Sequence, residues 1–372
     1  MARPRRLLVV PHATPPAPGL RGLVDRLGEL ARLGRDDDER LDPAYLLGAT
    51  GVAQRVYQFT PDDNHAWRTE HPGAEFDRCA LDVDSFGAVD AISAHAERSI
   101  RRYTPKKRAE RWALAKHELD DGRLLTVDLQ GFDAAAGRVV GYREGDEVVQ
   151  RGHALMDAVD GDLIEVVFDA ILEDPADDEP QITTMWTVRP ADAPVPERRR
   201  HAVQRAVLGF AREHLRTRKE LHHEAEVFVA SGLRAWGITA ELLGERGAAV
   251  RADSDRRAEL VDWLTVWTED VRAGRLAAST WARAWQTALK SGDTRWAPVD
   301  GDPAAFADVS DAWDAAAGAL GMALAALDAD DALATDASVD RVIAGFASAQ
   351  QADARALTAL DAADGRPAGA LF

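Results

Sequence analysis

His12 is the first residue in the chain whose position indicates chemistry. It follows the apolar run at 6–10, which predicts a strand buried on both faces, and it precedes an amphipathic helical pattern at 20–33. Ligands of open α/β sheets bind at the carboxyl ends of the strands, and the N-terminus of a helix favours anions. His12 is therefore a candidate site residue, and an ordinary histidine of a surface loop is the alternative.

A second polar group lies just after the apolar run at 52–59, which predicts another strand. Residues 62–65 supply two carboxylates, an amide and an imidazole, and His71 follows in the same loop. Carboxylate and imidazole are ligands that zinc and other divalent metals take in proteins. A metal site needs three or more converging ligands, however, and the spacing matches no compact motif. A solvated turn is therefore the alternative.

The order of these residues is similar to that of the N-formylglutamate amidohydrolases, a family of zinc-dependent hydrolases. That family has an early Pro-His motif, an Asp, an Asp-x-Asn-Arg motif and an Asp-x-His-Ser motif. The chain has, in a similar order, Pro11-His12, Asp38, Asp62-Asp63-Asn64 and Asp128-Leu129-Gln130-Gly131. It departs from the pattern at His65, where the family has arginine, and at Gln130, where the family has histidine. The resemblance covers at most residues 7–131.

This resemblance implies a metal-dependent, amidohydrolase-like or small-ligand-binding enzyme that uses the N-terminal domain. A divalent metal such as zinc would polarise a carbonyl group and activate water in such an enzyme. The implied site comprises His12, Asp38, Asn64, His65 and Asp128.

The segment 197–231 contains several histidines and glutamates and is predicted to form one long helix. Within it, Glu220 and His223 are spaced so that they share one helical face. Di-iron bundles require two such Glu-x-x-His pairs and two further glutamates, and the sequence has no second pair. His214 falls on the apolar stripe of the predicted helix, which favours a hydrogen-bonded core or interface histidine.

Two pairs of tryptophans, Trp263 with Trp267 and Trp281 with Trp285, are each four residues apart. The pairs fall in two consecutive predicted helices that are close enough in sequence to form a hairpin. Each pair occupies one helical face, so the four indoles are candidates for an aromatic-lined pocket or a groove for a partner. Core packing between the helices is the alternative.

Basic side chains concentrate in the segments 98–116 and 198–219, each of which holds eight lysines and arginines. The first segment also contains aromatic residues, a mixture that single-stranded nucleic-acid binders use. The net charge of −18 disfavours nucleic acid, and acidic stretches such as 297–372 can pair with the basic segments within or between chains. A protein partner or a homo-oligomer is therefore favoured. The candidate binding residues of the first segment are Arg101, Arg102, Lys106, Lys107, Arg108 and Trp112.

The elements that must position these residues predict an α+β (or α/β) fold in two domains. Residues 1–192 are expected to form an N-terminal mixed-sheet domain with flanking helices, in which 87–102 is helical and 123–189 forms short antiparallel strands. A proline cluster at 190–196 then marks a boundary. Residues 193–372 have almost no strand pattern and are expected to form a mainly α-helical bundle. Its predicted helices are 197–231, 255–273, 276–290, 303–328 and 336–362.

Composition and missing motifs exclude several classes of protein. The chain is 46% hydrophobic and 29% charged, which is typical of a folded protein, and the lone Cys79 leaves no intramolecular disulfide. The longest apolar run, 315–327, is shorter than the roughly 18 residues of a membrane span, and no export signal is visible. The sequence lacks the phosphate loop, GxGxxG, GxSxG and HExxH motifs. P-loop ATPases, Rossmann dehydrogenases, serine hydrolases and zincins are therefore disfavoured.

The function expected from the sequence is that of a non-enzymatic cytoplasmic interaction or regulatory protein with a helical docking domain. This expectation follows because none of the candidate sites has a complete set of catalytic groups. The metal-dependent, amidohydrolase-like enzyme is the alternative.

Overall fold

A computed structural model defines the architecture of the chain. It describes residues 43–49, 51–54, 56–59, 98–103, 108–121, 124–130, 136–144, 147–150, 163–169, 181–190, 196–216, 218–222, 227–251, 253–292 and 301–363. The chain folds into two compact units, one comprising 1–43 with 92–195 and the other comprising 44–91 with 196–372. Helix predominates among the residues whose side chains the structure describes.

Helices and strands follow one another in this order. The elements are α1 (Pro43–Ala49), β1 (Tyr57–Phe59), β2 (Arg98–Tyr103), α2 (Arg108–Asp120), β3 (Leu124–Gln130), β4 (Ala136–Glu144), β5 (Glu147–Gln150), β6 (Leu163–Asp169), β7 (Gln181–Pro190), α3 (Glu197–Leu215), β8 (Arg218–His222), β9 (Val227–Ser231), α4 (Leu233–Arg251), α5 (Ser254–Ser291), α6 (Pro303–Leu327) and α7 (Asp336–Ala363). A 3-10 turn at Val52–Gln54 lies between α1 and β1.

In the first unit, the described strands are ordered β2-β7-β3-β4-β5, and β6 pairs with β4. The β4–β6 pair is parallel and the other described pairs are antiparallel. Leu125 of β3 and Met185 of β7 are buried, as are Ala115 and Leu119 of α2. Among the side chains that the structure describes in this unit, these four are the buried apolar ones.

In the second unit, long helices carry the core. Helix α6 packs along both α5 and α7, and α4 packs on α7. Their buried side chains include Leu264 and Val271 of α5, Leu320 of α6 and Phe346 of α7. A small antiparallel sheet of order β1-β9-β8 belongs to the same unit. The buried side chains of these helices form the hydrophobic core of the second unit.

Capping residues explain where α6 and α7 begin. The carboxylate of Asp302 accepts a hydrogen bond from the backbone N–H of Ala304 at 2.8 Å, and Pro303 occupies the first turn. At the start of α7, the backbone N–H of Ser338 donates to the hydroxyl of Thr335, and the backbone N–H of Thr335 donates to the hydroxyl of Ser338. This reciprocal pair satisfies two N–H groups that the first turn of a helix leaves without partners.

Helices α6 and α7 approach closely where Gly345 lies on α7. A Cβ atom at this position would stand 2.7 Å from Cβ of Ala323 and 3.1 Å from the carbonyl oxygen of Ala319. Neither atom can rotate away, so Gly345→Ala must push the helices apart. We expect this change to lower the free energy of unfolding by about 1 to 3 kcal/mol, as overpacking does in a dense core.

Chemical denaturation followed by circular dichroism measures this effect. Gly237→Ala is the matched control, because a Cβ atom at this helical position of α4 meets nothing within 4 Å. The control should raise the free energy of unfolding by about 0.5 to 1 kcal/mol, since alanine favours the helix over glycine. Equal effects of the two substitutions would contradict the close approach.

The predicted fold class, an N-terminal mixed-sheet domain followed by a helical bundle, is wrong. Helix is the dominant state where side chains are described, and the described residues between 44 and 59 group with the C-terminal helices. The short strand β1 pairs with β9, which lies beyond the proline cluster. The predicted strand 52–59 begins instead as a 3-10 turn, and the end of the predicted helix 87–102 is strand β2. The domain bounds 1–192 and 193–372 remain a prediction.

Two predicted helices also differ from the structure for local reasons. The predicted helix 197–231 ends at Leu215, because Arg216 adopts an extended conformation with φ −69° and ψ 146°. The chain then forms the hairpin β8–β9, so Glu220 lies in a strand. The predicted helices 255–273 and 276–290 are one continuous helix, α5.

Candidate functional site

The residues predicted for a metal-dependent site lie almost entirely outside the described part of the chain. His12, Asp38, Asn64 and His65 are outside the described residues. Asp128 lies in β3, where its backbone is opposite Ala136 of β4 and Thr184 of β7, next to a shift in register. Within the described ranges, no group of three or more His, Cys, Asp or Glu residues could hold a metal ion. The metal-dependent site thus remains a prediction from the sequence.

The basic candidates of the first unit occupy β2 and the start of α2. Arg101 is exposed and lies opposite Thr187 of β7, and Arg102 lies opposite Trp186. Arg108 is the first residue of α2. Lys106 and Lys107 lie outside the described residues.

Trp112 of α2 is the one aromatic candidate of this group. Its ring is half-buried, and the ammonium of Lys116 stands 5.4 Å from the ring centroid in a cation–π contact. This contact places a cation on one face of the indole already. A role of these residues in binding remains a prediction.

Trp281 and Trp285 of α5 form the first of two aromatic clusters in the second unit. Both indoles are fully buried, and their ring centroids are 4.6 Å apart. Phe306 and Trp313 of α6 complete the cluster, with edge-on contacts from Phe306 to both tryptophans of α5. The geometry is that of interlocking core side chains. These two tryptophans would reach a bound molecule only if α5 and α6 separated.

Trp267 lies in the second aromatic cluster, one helical turn after Trp263. The two rings stack with centroids 6.1 Å apart, and Trp267 also contacts Trp236 of α4 and Phe346 of α7 edge-on. Trp267 is buried, whereas Trp263 is half-buried at the margin of the cluster. Trp263 is therefore the candidate among the four that has a solvent-facing edge, and binding by the four remains a prediction.

A buried ion pair between α5 and α7 was not foreseen from the sequence. The guanidinium of Arg275 donates from Nε to Oδ1 of Asp353 at 2.8 Å and from Nη2 to Oδ2 at 2.6 Å. Both side chains are 0% exposed. Nη1 of Arg275 donates to the carbonyl oxygen of Ala53 at 2.8 Å, and the indole N–H of Trp236 donates to Asp353 at 3.0 Å. The network joins α5, α7, α4 and the 3-10 turn.

This network fixes the positions of the elements it joins and leaves little capacity for chemistry. Two charges in a dry interior are tolerated only when they are paired and further hydrogen-bonded, and these groups meet both conditions. The sequence does contain a signal, because Arg275 and Asp353 fall at core-facing positions among alanines and glycines of their helices. Small neighbours leave room for a long guanidinium side chain to span two helices.

Tyr45 of α1 is a buried titratable group of the same unit. Burial raises the pKa of its phenol well above the usual value of 10.0. In the unfolded chain the phenol ionises near pH 10. In the folded chain the same phenol ionises only at a higher pH, because burial disfavours its charged form. The contribution of Tyr45 to stability is therefore fully present below pH 10 and is lost as the pH rises above it.

We expect the free energy of unfolding to fall on raising the pH from about 9 to about 12, and Tyr45→Phe to make this fall shallower. Phenylalanine keeps the ring and cannot ionise, so the two proteins should differ in slope only on the alkaline side. Denaturation midpoints measured across this range provide the comparison. Equal slopes for both proteins would show that Tyr45 is not held neutral by its surroundings.

Large apolar side chains are exposed on the helices of the second unit. They are Phe210 of α3, Val266 and Leu276 of α5 and Met322 of α6. Phe210 is 41% exposed and Met322 is 62% exposed. Aromatic and methionine side chains are enriched in protein–protein interfaces relative to the rest of the surface. We therefore take the outer faces of α3 and α6 as the candidate interface, because they carry the aromatic ring and the most exposed of the four side chains.

Comparison with protein-family models and with curated proteins finds no match for this chain. A function for the chain therefore has to be argued from its own residues. Among the described residues, no helix combines the length and the apolar character needed to cross a membrane.

Proposed function

We propose that the protein is a non-enzymatic interaction or regulatory protein of the cytoplasm. Its second unit, called the helical unit from here on, docks a protein partner. The observation that carries the proposal is the exposure of Phe210 and Met322 on helices α3 and α6, whose opposite faces are buried. An exposed methionine adapts to the shape of a partner, and an exposed aromatic ring supplies a large contact area with little loss of conformational entropy.

The interior of the helical unit supports this proposal. Arg275 and Asp353 bind each other in the core, and Arg212 of α3 binds Asp361 of α7 through two contacts of 2.7 Å. These pairs are used to fix helices relative to one another. A rigid frame of this kind holds the outer faces of the helices in place, which lowers the entropic cost of binding.

Site-specific photo-crosslinking in cells tests the proposal. A photoreactive amino acid replaces Met322 in one variant and Arg355, an exposed residue of α7, in a control variant. We expect a discrete covalent adduct from position 322 and none from position 355. Mass spectrometry then identifies the captured protein. The same pattern from both positions, or no adduct from either, would contradict a docking role for the outer face of α6.

The metal-dependent alternative is tested by the metal content of the purified protein. The proposed function predicts less than stoichiometric zinc after exhaustive dialysis. One zinc ion per chain that is lost on replacing His12 by alanine would favour the amidohydrolase-like alternative.

A further inference from the structure

We propose that the partner is a second copy of this chain, and that α3 of one copy packs in parallel on α6 of the other. The contact is formed by one exposed stripe from each helix. The basic stripe of α3 comprises Arg199, Ala202, Ala206 and Phe210, and the acidic stripe of α6 comprises Asp311, Ala315, Gly318 and Met322. The inference rests on the proposed function and names the occupant of its docking surface.

The basic stripe lies on the outer face of α3. Its four residues are spaced by three or four positions, so they form one line along the helix, and all four are exposed. The opposite face of α3 is buried through Val207, Leu208, Ala211 and Leu215. The tie between Arg212 and Asp361 fixes which face of α3 points outward.

The acidic stripe lies on the outer face of α6. Its four residues are also spaced by three or four positions, and all four are exposed. The opposite face is buried through Phe306, Val309, Trp313 and Leu320, among others. Helix α6 contains three aspartates and no basic residue, so its surface has one sign of charge.

The two stripes match in length and in the order of their chemistry. Arg199 and Phe210 are 11 residues apart, as are Asp311 and Met322. At 1.5 Å per residue, each stripe spans about 16.5 Å. In a parallel alignment, arginine meets aspartate at one end and phenylalanine meets methionine at the other, a favourable sulfur–aromatic contact.

The middle of each stripe allows the helices to approach closely. Ala202 and Ala206 would face Ala315 and Gly318, and small residues at a crossing permit short distances between helix axes. An antiparallel alignment would place arginine against methionine and phenylalanine against aspartate. The order of residues therefore selects the parallel arrangement.

In a parallel alignment, charge favours the pairing of α3 with α6 over the pairing of like helices. Each stripe carries one charged residue, so two copies of α6 would bring Asp311 against Asp311 and two copies of α3 would bring Arg199 against Arg199, whereas Arg199 and Asp311 attract. The net charge of −18 per chain opposes association of two copies at long range. A contact between copies must therefore supply a local complementarity of this kind.

Sedimentation equilibrium of the full chain at physiological salt measures the association. We expect a mass that rises with protein concentration above that of the monomer. Arg199→Asp and Asp311→Arg should each weaken the association by about tenfold, because each places like charges opposite one another. The double variant Arg199→Asp/Asp311→Arg restores opposite charges and should recover most of the association.

Matched controls carry the same changes of charge on α7. Arg355→Asp and Asp340→Arg alter exposed residues outside both stripes and should leave the association unchanged. Ala206→Arg provides an independent block, because a long side chain in the middle of the basic stripe prevents close approach. Circular dichroism confirms that every variant is folded, as expected for changes at exposed positions.

Some outcomes overturn this inference and leave the docking function in place. A wild-type chain that is monomeric at all concentrations rules out the second copy. If position 322 still captures a different protein in cells, the proposed function stands with another partner. A double variant that is weaker than either single variant would show that Arg199 and Asp311 do not face each other.

Discussion

Replacing Asp353 by alanine is expected to lower the free energy of unfolding of the helical unit by about 3 to 5 kcal/mol. The substitution leaves the buried guanidinium of Arg275 without its carboxylate, and it also removes the acceptor of the indole N–H of Trp236. Native-state hydrogen exchange of amides in α5 and α7 measures the effect within this unit.

Two further variants separate the cost of leaving one buried charge unpaired from the net contribution of the ion pair to the free energy of unfolding. Arg275→Met/Asp353→Leu removes both charges and should recover part of the stability that Asp353→Ala loses, because the cost of burying an unpaired ion disappears. The carbonyl of Ala53 and the indole N–H of Trp236 lose their partners in this variant, so it should remain about 1 to 3 kcal/mol less stable than the wild type. Arg341→Ala removes one partner of an ion pair with Asp331 that is 50% exposed on each side. That change should cost less than about 1 kcal/mol. Equal costs for the exposed and buried pairs would contradict the buried network.

The helices that the sequence predicts best are those with an unbroken apolar pattern and clear ends. Helices α6 and α7 were predicted at 303–328 and 336–362 and are found at Pro303–Leu327 and Asp336–Ala363. Alanine-rich segments have high helical propensity, and Asp302 and Thr335 cap their first turns. Local helical preference and tertiary packing agree in these segments. The periodicity of the apolar residues is therefore sufficient to predict where the two helices lie.

The predictions fail where tertiary packing decides the role of a residue. Helix α5 continues through Gly274, although the pattern indicated a break nearby. A Cβ atom at Gly274 would stand 2.7 Å from the carbonyl oxygen of Ala53, so this glycine allows the 3-10 turn to approach the helix. The hairpin after α3 was missed for a related reason. Its residues have an apolar spacing that is also compatible with a helix, and pairing of β9 with β1 selects the strand.

The candidate interface could be inferred only in part from the sequence. Segregation of basic and acidic segments predicted a protein partner or a homo-oligomer, and this prediction stands as a proposal. The spacing of Arg199 and Asp311 relative to Phe210 and Met322 can be read from the sequence. Their exposure cannot, because it depends on which face of α3 and α6 the other helices cover.

Replacing Trp281 by alanine should lower the free energy of unfolding by about 3 to 5 kcal/mol. The indole fills the space between α5 and α6 and contacts Trp285, Phe306 and Trp313. Gly48 of α1 also lies against it, since a Cβ atom at Gly48 would overlap Cβ of Trp281. The surroundings are held by other helices and cannot collapse fully into the cavity. Chemical denaturation followed by circular dichroism measures the loss.

Trp281→Phe separates packing from hydrogen bonding at the same position. The indole N–H of Trp281 finds no acceptor among the described residues, so phenylalanine loses volume without breaking a hydrogen bond. We expect this variant to cost about 1 to 2 kcal/mol, well below the cost of alanine. If phenylalanine were as damaging as alanine, the N–H would have to bind an acceptor inside the cluster. If neither change altered stability, Trp281 would be free to serve a bound molecule, as the pocket hypothesis requires.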